Sequence, residues 1–237
     1  MSTGNDVAAR LAEVRARIDA AALRAGREPR EVTLVGVTKR VPAERMLEAA
    51  RAGLICIGEN YVQEARAKFA VLASAPEASA LRWHLIGNLQ RNKARDAALL
   101  FDVIETVDRI ELATELERRA AAAGRELDVL LQVNVSGEPQ KAGVAPGDAP
   151  ALLAACAPLA HLRVRGLMTV PEATPLPEEG RAAFARLREL RETLRDSEGG
   201  ESLTELSMGM SADFEVAIEE GATLVRVGTA IFGSREG

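Results

Sequence analysis

Only two of the 237 residues are cysteine, seven are aromatic and four are lysine. Each shortage excludes something. Cys56 and Cys156 sit inside apolar segments. They read as buried thiols in a reducing, cytoplasmic compartment, not as a disulfide framework or a metal site. Seven aromatics are too few for a base-stacking platform, and charges of both signs are interspersed around a net charge of −5, so nothing points to nucleic acid. No apolar run approaches the ~20 residues of a membrane span. The longest candidate, Ala149 to Ala160, is broken by Pro150 and Pro158. The residues after Met1 show no basic stretch followed by an apolar core, which predicts a chain without a secretory signal. A content of 47% hydrophobic and 27% charged residues excludes a disordered or collagen-like chain.

What is present is an alternation. Val7, Leu11, Val14 and Ile18 recur at helical spacing within a helix expected from Asn5 to Ala25, stopped by Gly26. Val32 to Thr38 is rich in β-branched residues and reads as a strand buried on both faces, as in a parallel sheet. The pattern then repeats. Strands are predicted at Leu54–Ile57, Leu81–Ile86, Phe101–Glu105, Leu127–Asn134, Val164–Leu167, Thr204–Ser207 and Thr223–Val227. Helices are predicted at Pro42–Ala52, Asn60–Leu72 (with Phe69 inward), Gln90–Ala98, Asp108–Ala123 (capped by Asp108), Ala149–Ala157, Glu179–Arg195 and Ala212–Glu220. Repeated βα units imply parallel strands with right-handed crossovers. Eight of them predict an α/β fold, a single (β/α)8 TIM-type barrel with an extra N-terminal helix. A doubly wound open sheet is the alternative. Residues 1–237 read as one domain, with 1–30 a leading helix and linker and 31–237 the barrel.

Active sites of such barrels lie at the C-terminal ends of the strands. The predicted strand ends bring Lys39, Asn60, Asn88, Asn134, Thr169, the run Ser207 to Ser211, and Arg226 to Thr229 to one rim. Gly209, Ser211, Gly228 and Thr229 follow the last two strands, where backbone N–H groups and hydroxyls can hold a phosphate. Tight turns and a helix cap are the alternative reading. The 30 basic residues include just Lys39, Lys68, Lys93 and Lys141 as lysines. Lysine, unlike arginine, can lose its proton and attack a carbonyl. Lys68 lies on a helix face and reads as a solvated charge. Lys39, at the end of the first strand, is either a solvated rim charge or an amine poised for a Schiff base. A phosphate on one side and a lysine on the other would fit pyridoxal 5′-phosphate or a sugar-phosphate aldehyde. His84 reads first as a satisfied interior histidine, and His161 as a surface group. Met168, Met208 and Met210 read as packing. No His/Cys/Asp cluster has metal-ligand spacing.

The ordered fragments Val37-Thr-Lys39, Ile57-Gly-Glu-Asn-Tyr-Val-Gln-Glu64, Trp83-His-Leu-Ile-Gly87, Val133-Asn-Val-Ser136, Gly166-Leu-Met168, Leu206-Ser-Met-Gly-Met-Ser211 and Val225-Arg-Val-Gly-Thr-Ala-Ile-Phe-Gly233 span nearly the whole chain. In these the chain resembles the pyridoxal phosphate homeostasis proteins, which share the alanine racemase N-terminal barrel. The resemblance implies that Lys39 carries the cofactor as a Schiff base and that Arg226 faces the pyridine nitrogen. It also implies that Ser211, Gly228 and Thr229 hold the phosphate with help from Ser207 or Met210, and that Asn60 lines the ring. Arg40 and Asn88 depart from the family pattern beside the pocket.

An arginine at the pyridine nitrogen disfavours ring protonation and weakens the ring as an electron sink. The one tyrosine, Tyr61, belongs to the same barrel, so a second acid/base is not evident. The expectation is a monomeric, cytoplasmic protein that buffers pyridoxal phosphate or delivers it to apo-enzymes that require it, without efficient amino-acid turnover. Lys141 is the candidate for a temporary recipient. The rival readings are an amino-acid racemase or lyase, and a Schiff-base aldolase acting on sugar phosphates.

Overall fold

Strands that are apolar on both faces need cover on both faces. A closed ring wrapped in helices supplies it. The computed structural model describes residues 7–138, 140–172 and 174–233. Among them are eight strands: β1 (Thr33–Val37), β2 (Cys56–Glu59), β3 (Arg82–Leu85), β4 (Val103–Val107), β5 (Leu127–Gln132), β6 (Leu162–Met168), β7 (Glu205–Ser207) and β8 (Leu224–Val227). They close in chain order into a parallel barrel, with β8 hydrogen-bonded back to β1. The closed ring settles the choice against an open sheet.

The described helices are α1 (Val7–Arg24), α2 (Ala43–Arg51), α3 (Val62–Leu72), α4 (Ala94–Leu100), α5 (Ile110–Ala122), α6 (Ala149–Cys156), α7 (Arg181–Arg195), α8 (Phe214–Glu219) and α9 (Thr229–Phe232). α1 precedes the first strand and buries Val7, Leu11, Val14, Ile18, Ala21 and Ala22, packing on α8, α9 and α2. Burying its four larger apolar side chains contributes roughly 6–12 kcal/mol as an upper bound. Arg27, just beyond α1, donates to the carbonyls of Ile218 and Ala222 at 2.9 and 2.8 Å, which ties α1 to the end of α8.

Several expected details differ. Asn5 and Asp6 lie outside the described residues. Strand β4 runs two residues later than the pattern suggested, at Val103–Val107. Its pairing with β5 is irregular between Ile104 and Val107, and such an irregularity re-aims side chains. Asp108 does not cap α5. The residue before that helix is Arg109, with no side-chain cap, and Asp108 instead holds the Arg109 guanidinium at 2.5 Å. Phe69 is 43% exposed and meets Trp83 edge-on at 5.6 Å, at the margin of the face on which α3 buries Val62, Ala65 and Leu72. The one-turn α9 after β8 has too little sequence to show a helical period.

The apolar core lies mainly between strands and helices. A smaller cluster, Val35, Cys56, Val103, Leu130, Met168 and Leu224, fills part of the barrel interior. Glu105, His84, Ser207 and Arg226 are buried polar or charged groups.

Candidate binding site at the barrel mouth

Lys39 follows β1, and three charged side chains fix the turn that carries it. Lys68, on α3, donates from Nζ to the Thr38 carbonyl at 2.5 Å and to Glu59 Oε1 and Glu64 Oε1, both at 2.7 Å. Thr38 Oγ1 also donates to Glu59 Oε1, at 2.6 Å. The Arg40 N–H donates to Glu64 Oε1 at 2.5 Å. Arg40 has φ of 60°, a left-handed conformation that costs a non-glycine residue about 1–2 kcal/mol. The strap of Lys68, Glu59 and Glu64 holds it there. Lys68 is thus no solvated surface charge: its side chain is only 11% exposed. Burial pushes Glu59 above the usual carboxylate range, opposed by Lys68 and Thr38.

Among the described residues, no carboxylate lies within ion-pair reach of Lys39. Its Nζ stands over the Tyr61 ring, 5.3 Å from the centroid. Asn60 is half-buried beside it. The backbone there is fixed by Gly87, whose hypothetical Cβ would lie 2.2 Å from the Asn60 carbonyl oxygen. Only glycine permits that approach.

The loops after β7 and β8 meet. The Gly228 N–H donates to Ser211 Oγ at 3.2 Å, which joins the two loops into one cradle. The Met210 N–H is held by Asp213 Oδ1 at 2.6 Å. Gly209 has φ of 90°, and a Cβ there would stand 2.6 Å from the Ala217 Cβ. Thr229 is exposed at the cradle's edge, and Met210 and Ser211 are half-buried. Ser211 Oγ therefore accepts from the neighbouring loop and does not merely cap α8.

Below the mouth runs a buried polar column. Arg226 is 4% exposed. Its Nη1 donates to Ser207 Oγ at 2.5 Å and its Nη2 to the Thr169 carbonyl at 2.7 Å. Ser207 Oγ donates in turn to Glu105 Oε2 at 2.6 Å. Glu105 Oε1 meets His84 Nδ1 at 2.7 Å. Ser207 therefore lies beneath the cradle and orients the guanidinium. Burial would lower the His84 pKa, but Cys56 and then Glu105 more than reverse this, raising it from 6.5 to about 9. Burial acts to raise the Glu105 carboxyl, and His84 and Arg226 overcome that and hold it below the usual range. Burial also pulls Arg226 down from its ordinary value, opposed by Glu105. Arg226 keeps its charge, because arginine does not titrate in proteins.

These donors fit a phosphorylated aldehyde. Two facing hydroxyl and amide groups suit phosphate oxygens, an amine without a carboxylate partner suits an aldehyde carbon, and a fixed guanidinium suits a ring nitrogen. Lys141 lies in the loop after β5 and pairs with Glu138 at 2.5 Å. His161 pairs with Glu117 across to α5 at 2.8 Å. Sequence reasoning missed Glu59, Glu64, Lys68, Glu105 and the Thr169 carbonyl. The Glu64/Lys68 spacing of four on one helix was an available signal for the strap. Among the described residues, no cluster of three or more His, Cys, Asp or Glu could hold a metal ion, and no helix is long and apolar enough to cross a membrane.

Barrel and mouth together define a class. The family model for "Alanine racemase, N-terminal domain" matches residues 10–236. Solved alanine racemases share the fold: that of Clostridium difficile superposes with a TM-score of 0.72 at 14% identity, covering 99% of this chain and 58% of its own. Within that class the agreement narrows. The pyridoxal phosphate homeostasis protein of Pseudomonas aeruginosa is 50% identical over 230 residues, covering 97% of this chain and 96% of its own. That of Escherichia coli K12 is 42% identical over 98% of both. PipY of Synechococcus elongatus, solved with pyridoxal phosphate bound, is 42% identical with a TM-score of 0.84, over 96% of this chain and 100% of its own. The chain belongs to the pyridoxal phosphate homeostasis protein family.

Proposed function

We propose that the upper mouth binds pyridoxal 5′-phosphate and that the chain serves the homeostasis of this cofactor, holding and releasing it without efficient amino-acid turnover. One observation carries the reading: Lys39, without a carboxylate partner among the described residues, enters the same mouth as the cradle joined by Ser211 and Gly228. The names of the relatives and the PipY complex support it.

When bound, the cofactor supplies an aldehyde that condenses reversibly with amines. Lys39 is the anchoring amine, and the Lys68 strap fixes the turn from which it projects. Ser211 Oγ and the N–H groups of Gly228 and Thr229 hold the phosphate, with Met210 beside them and Asn60 along the ring. Ser207 acts through Arg226, which it orients. Arg226 places a permanent positive charge at the ring nitrogen and so withholds the ring proton that carbanion chemistry draws on. Tyr61 stands on the same side as Lys39, so it does not act as an opposing acid. In this reading the chain is a cytoplasmic monomer, apo-enzymes that require the cofactor are its recipients, and Lys141 is a temporary carrier once freed from Glu138.

The test is the visible spectrum of the purified protein incubated with pyridoxal phosphate, then borohydride reduction and peptide mass mapping. The expected result is a yellow protein that bleaches on reduction, with a pyridoxyl group on the Lys39 peptide. Lys39→Ala is expected to bind more weakly and reversibly. A colourless, unlabelled protein overturns the cofactor assignment. Exchange of the α-proton of alanine at enzymatic rates overturns the statement on turnover.

A further inference from the structure

The barrel has a second mouth, at the N-terminal ends of its strands. A cavity of about 230 Å³ opens there, bordered by Thr33, Cys56, Arg82, His84, Glu205 and Thr223. It lies at the opposite end from Lys39. Cys56 and His84 are both 2% exposed. They sit on neighbouring strands, with Cys56 paired to Arg82 and Gly58 to His84, so their inward side chains are diagonal neighbours.

The His84 ring is held from one side only. Its Nδ1 is bonded to Glu105. Its Nε2 is buried and makes no hydrogen bond of ordinary geometry, and the polar side chain that acts on the ring besides Glu105 is the Cys56 thiol. A thiol, an imidazole and a carboxylate thus stand in series beside a cavity. This sets a sulfur against an imidazole that a carboxylate both orients and holds charged, and a neighbouring cation favours the nucleophilic form of a thiol.

We infer that this lower mouth is a reactive thiol site, in which Cys56, assisted by His84 and oriented by Glu105, is oxidised by small hydroperoxides. The sulfur attacks the distal peroxide oxygen, so an S–O bond forms and the O–O bond breaks. The thiol proton leaves on the departing oxygen. Cysteine becomes sulfenic acid, oxidised by two electrons, and the hydroperoxide is reduced to an alcohol or water. The narrow cavity and the slight exposure of the sulfur restrict the reagent to a small one.

Cys156 is the internal control. It is 1% exposed and borders a cavity of about 270 Å³, so access does not separate the two thiols. Chemistry does. Burial alone acts on Cys156 and pushes its thiol up to about 11, with no imidazole beside it.

The test treats the intact protein with hydrogen peroxide in the presence of dimedone, which traps sulfenic acids, and follows each cysteine by peptide mass mapping. Cys56 is expected to label at least about tenfold faster than Cys156. His84→Gln is expected to bring the two rates together, with circular dichroism confirming that the variant is folded. Should that variant not fold, the ratio in the unmodified protein and its fall in Glu105→Gln decide the matter. Cys56 labelling no faster than Cys156, or at an unchanged rate in a folded His84→Gln variant, overturns the inference. The readout is independent of cofactor binding at the upper mouth.

Discussion

Glu105→Gln tests the polar column directly. Glu105 is fully buried and is the carboxylate between His84 Nδ1 at 2.7 Å and Arg226 Nη1 at 3.9 Å. Glutamine preserves the shape and one acceptor but removes the charge, leaving two cationic groups facing each other in a dry interior. Removing one partner of a buried ion pair costs about 3–5 kcal/mol. The pH dependence bounds the same quantity. Against the effect of burial, Cys56 and then Glu105 raise the His84 pKa from 6.5 to about 9 on folding, worth about 3 kcal/mol in all, of which Glu105 supplies a part. Because the folded chain holds that proton more tightly, the stabilisation is complete below pH 6.5 and is lost as the pH climbs through 9. Glu105 is shifted downward, so its own contribution changes only under acidic conditions, outside this window. Urea unfolding of both proteins between pH 6 and 9 is the assay. Near pH 6 the variant is expected to be about 3 kcal/mol less stable, or roughly 6–12 °C lower in Tm. The gap should narrow toward pH 9 as the unmodified protein loses its share. A gap that stays constant over that range, or a variant as stable as the parent throughout, refutes the reasoning.

Three further outcomes follow from the geometry. Lys68→Met leaves the buried Glu59 without its cation and frees the turn before Arg40; a loss of about 3 kcal/mol in urea unfolding is expected, partly recovered in the double variant with Glu59→Gln. Gly209→Ala forces a Cβ to within 2.6 Å of the Ala217 Cβ at φ of 90°; thermal melting should show a loss of at least about 2 kcal/mol. Ser211→Ala removes the acceptor of the Gly228 N–H and a phosphate donor; equilibrium dialysis should show pyridoxal phosphate bound about tenfold more weakly, with the Lys39 adduct still forming.

The alternation of apolar runs with amphipathic stretches was enough to read the barrel, because each βα unit announces itself within about thirty residues. The rim was readable for a related reason: strand ends carry glycine and small polar residues where the chain turns, as at Gly87 and Gly228. The column was not. Glu105 looked like the last residue of its strand, and a two-residue slip separates a carboxylate at the rim from one buried inside the ring. Pattern alone does not fix which face a doubly buried strand turns inward. Lys68 was hidden differently. It occupies an ordinary polar position on a helix, and only the close approach of β1 and β2 turns that face into an interior. The Thr169 carbonyl, as a backbone acceptor, leaves no trace in residue identity at all.

The closure of β1 on β8, with α1 packed on α8 and α9, has a consequence for how the molecule is made. Synthesis proceeds at about 5–20 residues per second, so roughly 10–40 s separate the emergence of the first strand from that of the last. Throughout that interval β1 lacks one hydrogen-bonding neighbour and the apolar stripe of α1 lacks the cover that α8 and α9 supply. The ring therefore assembles late, through contacts between the two ends of the sequence, which carry the largest loop-closure cost and fold slowly. A growing chain of this design presents an open strand edge to chaperones and to other nascent copies until its final helices arrive.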